Sequence, residues 1–229
     1  VDPNKTINIA AGELRDSADK INCMLTSAVT KVLAAGWKSG SGQNGLDTGN
    51  PAVSTWYHVY AIGNDNGDLD FIFSTNATSP SFPGSYQYSR RIGSVLTDSS
   101  GNILVFTQNG DEFLFDTPIL DVSALAVGTS AVLRVLSVPL GVVVNALFNL
   151  QAASGGAGVD LAVTSPLTAD IDPLTIKNRS LALPATTTIV EVFNVRVNTS
   201  AQIRLRSDVA AQPTVSIGTF GWIDSRGKN

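Results

Sequence analysis

WYHVYAI at residues 56–62 runs through the polar connection GNDNGD at 63–68 into LDFIF at 69–73. The first run is aromatic and β-branched. The connection is filled by Asn, Asp and Gly, which favour tight turns. The stretch therefore predicts two paired strands. Tyr57, Val59, Ala61, Phe71 and Phe73 are expected on one face, because side chains alternate along a strand. The intervening positions are partly polar. A long excursion with Pro80 and Pro83 leads to a third run at 91–96. The turn DSSGN at 98–102 leads to a fourth at 103–107.

Working outward, KTINIAA at 5–11 alternates Ile7 and Ile9 and reads as a short strand. Residues 25–35 carry Leu25, Ala28, Val29, Val32 and Leu33 at helical spacing, with Gly36 as a stop, so one short helix is expected there. A strand followed by a turn is the competing reading of that segment. The polar, glycine-rich residues 38–55 predict a loop without internal packing. Asn109-Gly110 is a hairpin signal, and Pro118 is expected to end the run after it. The second half is strand after strand, at 131–138, 141–152, 159–164, 187–198, 201–206 and 214–223. The pattern predicts an all-β chain, an antiparallel β-sandwich or jelly roll. It is read as one domain over 1–229, with a possible sub-boundary near 118–130.

The composition narrows the function. The 229 residues include 43% hydrophobic side chains, enough for a sizeable core, but only 15% charged ones. The net charge of -4 and the lack of a broad basic track argue against nucleic acid. No apolar run is long enough for a membrane-spanning helix. One cysteine, Cys23, allows no intrachain disulfide.

Catalytic signatures are weak. His58 is the only histidine, and with a lone cysteine it supplies no metal-ligand set. No G-x-S-x-G elbow is present. The run NDNGDLD at 64–70 looks like a calcium loop, but it lacks the Glu of an EF-hand, and turn chemistry explains it more simply. Asp98, Asp111 and Glu112 raise the idea of a glycosidase pair, whose separation a sequence does not show. No cofactor is expected. Trp37, Phe82, Tyr86 and Tyr88 form a candidate ligand or interface set. The three in the 74–89 loop are read either as a lid on the core or as a stacking platform. Arg90 and Arg91 join the set. Arg91 is read chiefly as a structural ion-pair former, with Asp98 or Asp111 as possible partners, and otherwise as a ligand-facing arginine.

Several stretches carry a resemblance: INIAAGELRDS (7–17), GLDTG (45–49), TWYHVYAI (55–62), LDFIFSTNATSPSFPGSYQYSRRIGSV (69–95), GDEFLFDTPILDV (110–122), TSAVLRVLSVPLGV (129–142) and IGTFGWIDSRGK (217–228). Together they resemble a β-rich domain of tailed-bacteriophage tail and tail-fibre-like virion proteins. The resemblance implies a non-enzymatic virion component, assembled in the host cytoplasm, that contributes to assembly or host-surface attachment at the tail tip or fibre. It implies other virion proteins as partners, a homo-oligomer with a trimer favoured, and a possible host-surface glycan. A capsid decoration or head fibre, a carbohydrate-binding module and a polysaccharide depolymerase are the competing functions.

Overall fold

The computed structural model describes residues 2–174, 178–210 and 212–226. The described chain is all-β, with five sheets that are almost wholly antiparallel and a single 3-10 turn at Pro3–Lys5. It divides into two compact units, Val1–Leu104 and Val105–Asn229. The division precedes the 118–130 stretch, most of which lies inside one long strand.

In the first unit, β1 (Thr6–Ile9) pairs with β4 (Val29–Val32), which takes up the short parallel strand β5 (Gln43–Asn44). Next, β2 (Gly12–Arg15) and β3 (Asn22–Leu25) form a ribbon. The third sheet has the order β7-β6-β8, with β6 at Trp56–Gly63, β7 at Leu69–Ser74 and β8 at Tyr88–Leu96. Pairs Val59↔Phe73 and Ala61↔Phe71 place the five expected side chains on one face. The other face is covered too, and every residue of β6 is buried. Tyr60, Ile62 and Ile72 form its core, capped by Trp37 and Tyr86.

The helix expected over residues 25–35 is absent. Leu25 ends β3, and Val29 to Val32 form β4. The β-branched residues Val29, Thr30 and Val32 disfavour a helix and fit a pleated sheet. Pairing with β1 then settles the conformation. The 38–55 loop is also packed, contrary to expectation. Gly45 and Asp47 hydrogen-bond along Phe73, Leu46 is buried, and the Ala52 N–H donates to the Tyr57 hydroxyl at 2.7 Å.

The second unit contains two antiparallel sheets. The order β15-β12-β17-β10-β9 joins Thr188–Arg196, Asn145–Ala153, Thr214–Ile223, Glu112–Ala126 and Phe106–Asn109. The order β11-β16-β13-β14 joins Val132–Val135, Gln202–Ser207, Val159–Thr164 and Leu181–Leu183. Phe113, Phe148, Leu150 and Ile217 are buried in the first sheet, and Leu161, Ile203 and Leu205 in the second. Pro118 does not end its strand. The register of β10 against β17 shifts between Leu114 and Ile119, and this irregularity accommodates a residue that lacks an N–H. The turn of the β9–β10 hairpin is Gly110-Asp111, and only Gly110 has positive φ, at 60°. That sign pattern suits a type II′ turn.

Candidate functional site

Asp70 is the lone charge on a strand buried on both faces, and a buried charge needs a partner. Lys31, from β4, supplies it. Its Nζ lies 2.6 Å from Asp70 Oδ1, and the two side chains are 1% and 5% exposed. The same ammonium donates to the Lys38 and Gly40 carbonyls at 2.8 and 3.2 Å. It sits 5.3 Å from the centre of the Trp37 ring. Asp70 in turn accepts from the Gly40 and Phe71 N–H groups at 2.7 and 2.6 Å. All three ammonium protons and both carboxylate oxygens are therefore used. Burial weakens Lys31's hold on its proton, and the hydrogen bond and charge of Asp70 oppose that shift. The cluster latches residues 36–44 over the sheet.

Trp37 follows from this latch. Its indole N–H donates to the Phe71 carbonyl at 3.3 Å, and Tyr86 meets it edge-on at 5.5 Å. Burial raises the Tyr86 phenol pKa. Of the three loop aromatics that were read as a lid or a platform, Tyr86 folds back onto the core, beside Trp37. Tyr88 points elsewhere, where its hydroxyl donates to Asp65 Oδ1 at 2.7 Å and Gln87 donates to Oδ2 at 2.5 Å. The bond to Asp65 raises the Tyr88 pKa. Phe82 is 41% exposed, and the loop beside it is held by the Ser81 N–H donating to Asp47 at 3.0 Å. Arg90 reaches the Arg15 carbonyl at 3.5 Å. Arg91 donates to Ser94 Oγ at 3.3 Å. Among the six candidates, Trp37 and Tyr86 are brought together in a ring contact.

His58 lies between Ser74 and Ser94 in a polar row across the three strands. His58 Nδ1 is 2.9 Å from Ser94 Oγ, and both residues are 1% exposed. A nucleophilic serine must meet its substrate, and this hydroxyl is shut inside the sheet while Arg91 donates to it. Two residues along β6 from His58, the Tyr60 phenol donates to the Asn76 carbonyl at 2.9 Å, and burial pushes its pKa up to about 12.

The carboxylates of the NDNGDLD run diverge. Asn64 Oδ1 accepts from the Asn66 and Asp68 N–H groups, and its amide donates to Asp68. Asp65 serves Tyr88 and Gln87, while Asp70 serves Lys31. Among the described residues, no group of three His, Cys, Asp or Glu side chains is placed to hold a metal ion. Asp98 accepts from the Asn102 and Ser100 N–H groups of its own turn, and the Asn102 bond leads in holding its carboxyl below the usual range. Asp111 pairs with Arg226.

Lys31 was not singled out from the sequence, and Asp70 was weighed there only as a carboxylate of the NDNGDLD run, not as a buried partner for a lysine. An aspartate between Leu69 and Phe71 in a wholly apolar run was the available signal. Comparison with known protein families and with characterised proteins finds no match for the chain.

Proposed function

We propose that this chain is a non-enzymatic structural module of a tailed-phage virion, at the tail tip or fibre, which presents loop surfaces for assembly or host attachment. The carrying observation is the use made of its polar chemistry. His58 and Ser94 are sealed in a sheet, and Lys31 and Asp70 hold the 36–44 loop onto that sheet. Fixing loops on a disulfide-free scaffold suits a protein that must keep a shape, because rigid loops bind with less ordering cost. The resemblance of 55–62 and 69–95 to tail-fibre-like domains points the same way. In the second unit, two antiparallel sheets, each with a buried apolar face, favour a sandwich over a jelly roll. For attachment, Phe82 is the aromatic best placed. Trp37 offers little stacking face, since Lys31 and Tyr86 lie against it.

Antibodies raised against the purified chain test this reading by negative-stain microscopy of particles from the same source. Labelling at the tail end is expected. Particles that carry no label, with the chain absent from their protein profile, would overturn it.

A further inference from the structure

The two sheets of the second unit have four edge strands. Three are short: β9 and β11 have four residues each and β14 has three. Shortness is a common protection against unwanted strand pairing. The fourth, β15, has nine residues, TIVEVFNVR, paired with β12 in an unbroken register from Arg196 to Thr188. It contains no proline, lysine or bulge. At about 3.4 Å per residue it offers roughly 30 Å of straight edge. Among the described residues no strand pairs with its outer side. Val190 and Val192 point away from the buried face and are 60% and 67% exposed.

We infer that β15 pairs antiparallel with β15 of a second copy of this chain, about a two-fold axis at Phe193. The occupant follows from the side chains. Directly opposed residues of an antiparallel pair share a face, so a two-fold register must join odd positions to odd and even to even. Centring on Phe193 sets Glu191 against Val195 and Arg196 against Val190. The only two charged positions of the strand then meet apolar partners, and no like charges are opposed. Centring on Glu191 would oppose two carboxylates. Phe193 already stacks on the buried Phe148, with centroids 5.5 Å apart and planes 11° apart. Phe148 belongs to β12, on the inner side of this edge strand, so a strand added beyond β15 would meet Phe193 from the opposite side. The two-fold sets it against the same ring of the second copy and extends the stack to four aromatics.

Sedimentation of the full chain between about 1 and 300 µM tests the pairing. The mass is expected to move from 23.9 kDa toward twice that value. A constant monomer overturns the inference, as does a discrete trimer, because a two-fold edge is not shared by three copies. Phe193→Cys places two thiols on the axis at about 4.5–5.5 Å between Cα atoms, within disulfide reach. Mild oxidation is expected to give a covalent dimer with Phe193→Cys and none with Val190→Cys. Equal cross-linking of the two overturns the register. Hydrogen exchange of the unsubstituted chain guards against a misfolded variant. The amides of 188–196 are expected to gain protection as concentration rises, and exchange that ignores concentration overturns the pairing. The inference stands apart from the virion reading, since a monomer would sink it and leave particle labelling untouched.

Discussion

Replacing Asp70 by alanine should unfasten the first unit. The substitution leaves the Lys31 ammonium buried with two carbonyls and the Trp37 ring, and it removes the acceptor of the Gly40 and Phe71 N–H groups. Breaking a buried pair by deleting one member costs about 3–5 kcal/mol. The two orphaned N–H groups place Asp70→Ala near the middle, about 4 kcal/mol. Lys31→Met strands a carboxylate that keeps both N–H donors, so about 3 kcal/mol is expected. Lys31→Met with Asp70→Ala buries no charge, and it should cost at least about 2 kcal/mol less than the sum of the two single changes. The assay is urea denaturation read by hydrogen exchange in peptides of β6 and β7, because a bulk signal would mix the two compact units. Either single change costing under about 1 kcal/mol would refute the reasoning. So would additivity within about 0.5 kcal/mol.

Other outcomes follow from the same packing. Gly221→Ala should destabilise the second unit by about 3 kcal/mol or more, since a Cβ there meets the Phe113 carbonyl oxygen and backbone cannot step aside. Gly63→Ala should cost about 1 kcal/mol, because the obstacle is the mobile tip of Ile21; denaturation midpoints read both. Asp16 is buried, which raises its pKa, but the Ile21, Ala18 and Lys20 N–H groups outweigh this and hold it below 3.8. A depressed folded-state pKa contributes stability that is fully present above 3.8 and lost as pH falls through the folded value. Acid titration of Asp16→Asn should therefore lack part of the loss seen below pH 3.8 in the unsubstituted chain. Ultraviolet titration should show the Tyr60 phenol ionising only near about pH 12, and Tyr60→Phe should remove that step.

The strand pattern was legible where local preference and tertiary pairing agree. In the hairpin of β6 and β7, aromatic and β-branched residues alternate around an Asn/Asp/Gly turn, and the observed register follows from them. Residues 25–35 misled because Leu25, Ala28, Val29, Val32 and Leu33 satisfy a helical period by accident. Periodicity counts side chains on a face and says nothing of the partner β1, whose pairing decides the outcome. Pro118 misled differently. A proline ends a regular ladder, but a shifted register lets β10 pass through it, and no local signal marks that shift.

The site was less legible because its organising contact is remote in sequence and inverted in chemistry. Lys31 and Asp70 lie 39 residues apart. The polar loop between them looks solvated when judged by composition. Yet the Lys38 and Gly40 carbonyls and the Gly40 N–H provide the extra hydrogen bonds that a buried pair requires. Loop and pair are therefore conditions for each other: without the pair the loop has no reason to pack, and without the loop the charges have no means of leaving water. Gly45 sits at the join, where a Cβ would approach Lys31 Cγ to 2.7 Å and the Phe73 ring to 3.0 Å. If that mutual dependence holds, Gly45→Ala should loosen residues 36–44 and expose Lys31 together. Hydrogen exchange of the loop and acetylation of Lys31 should then rise in parallel. Loop exchange that rises while Lys31 stays unreactive would separate the two and refute the coupling.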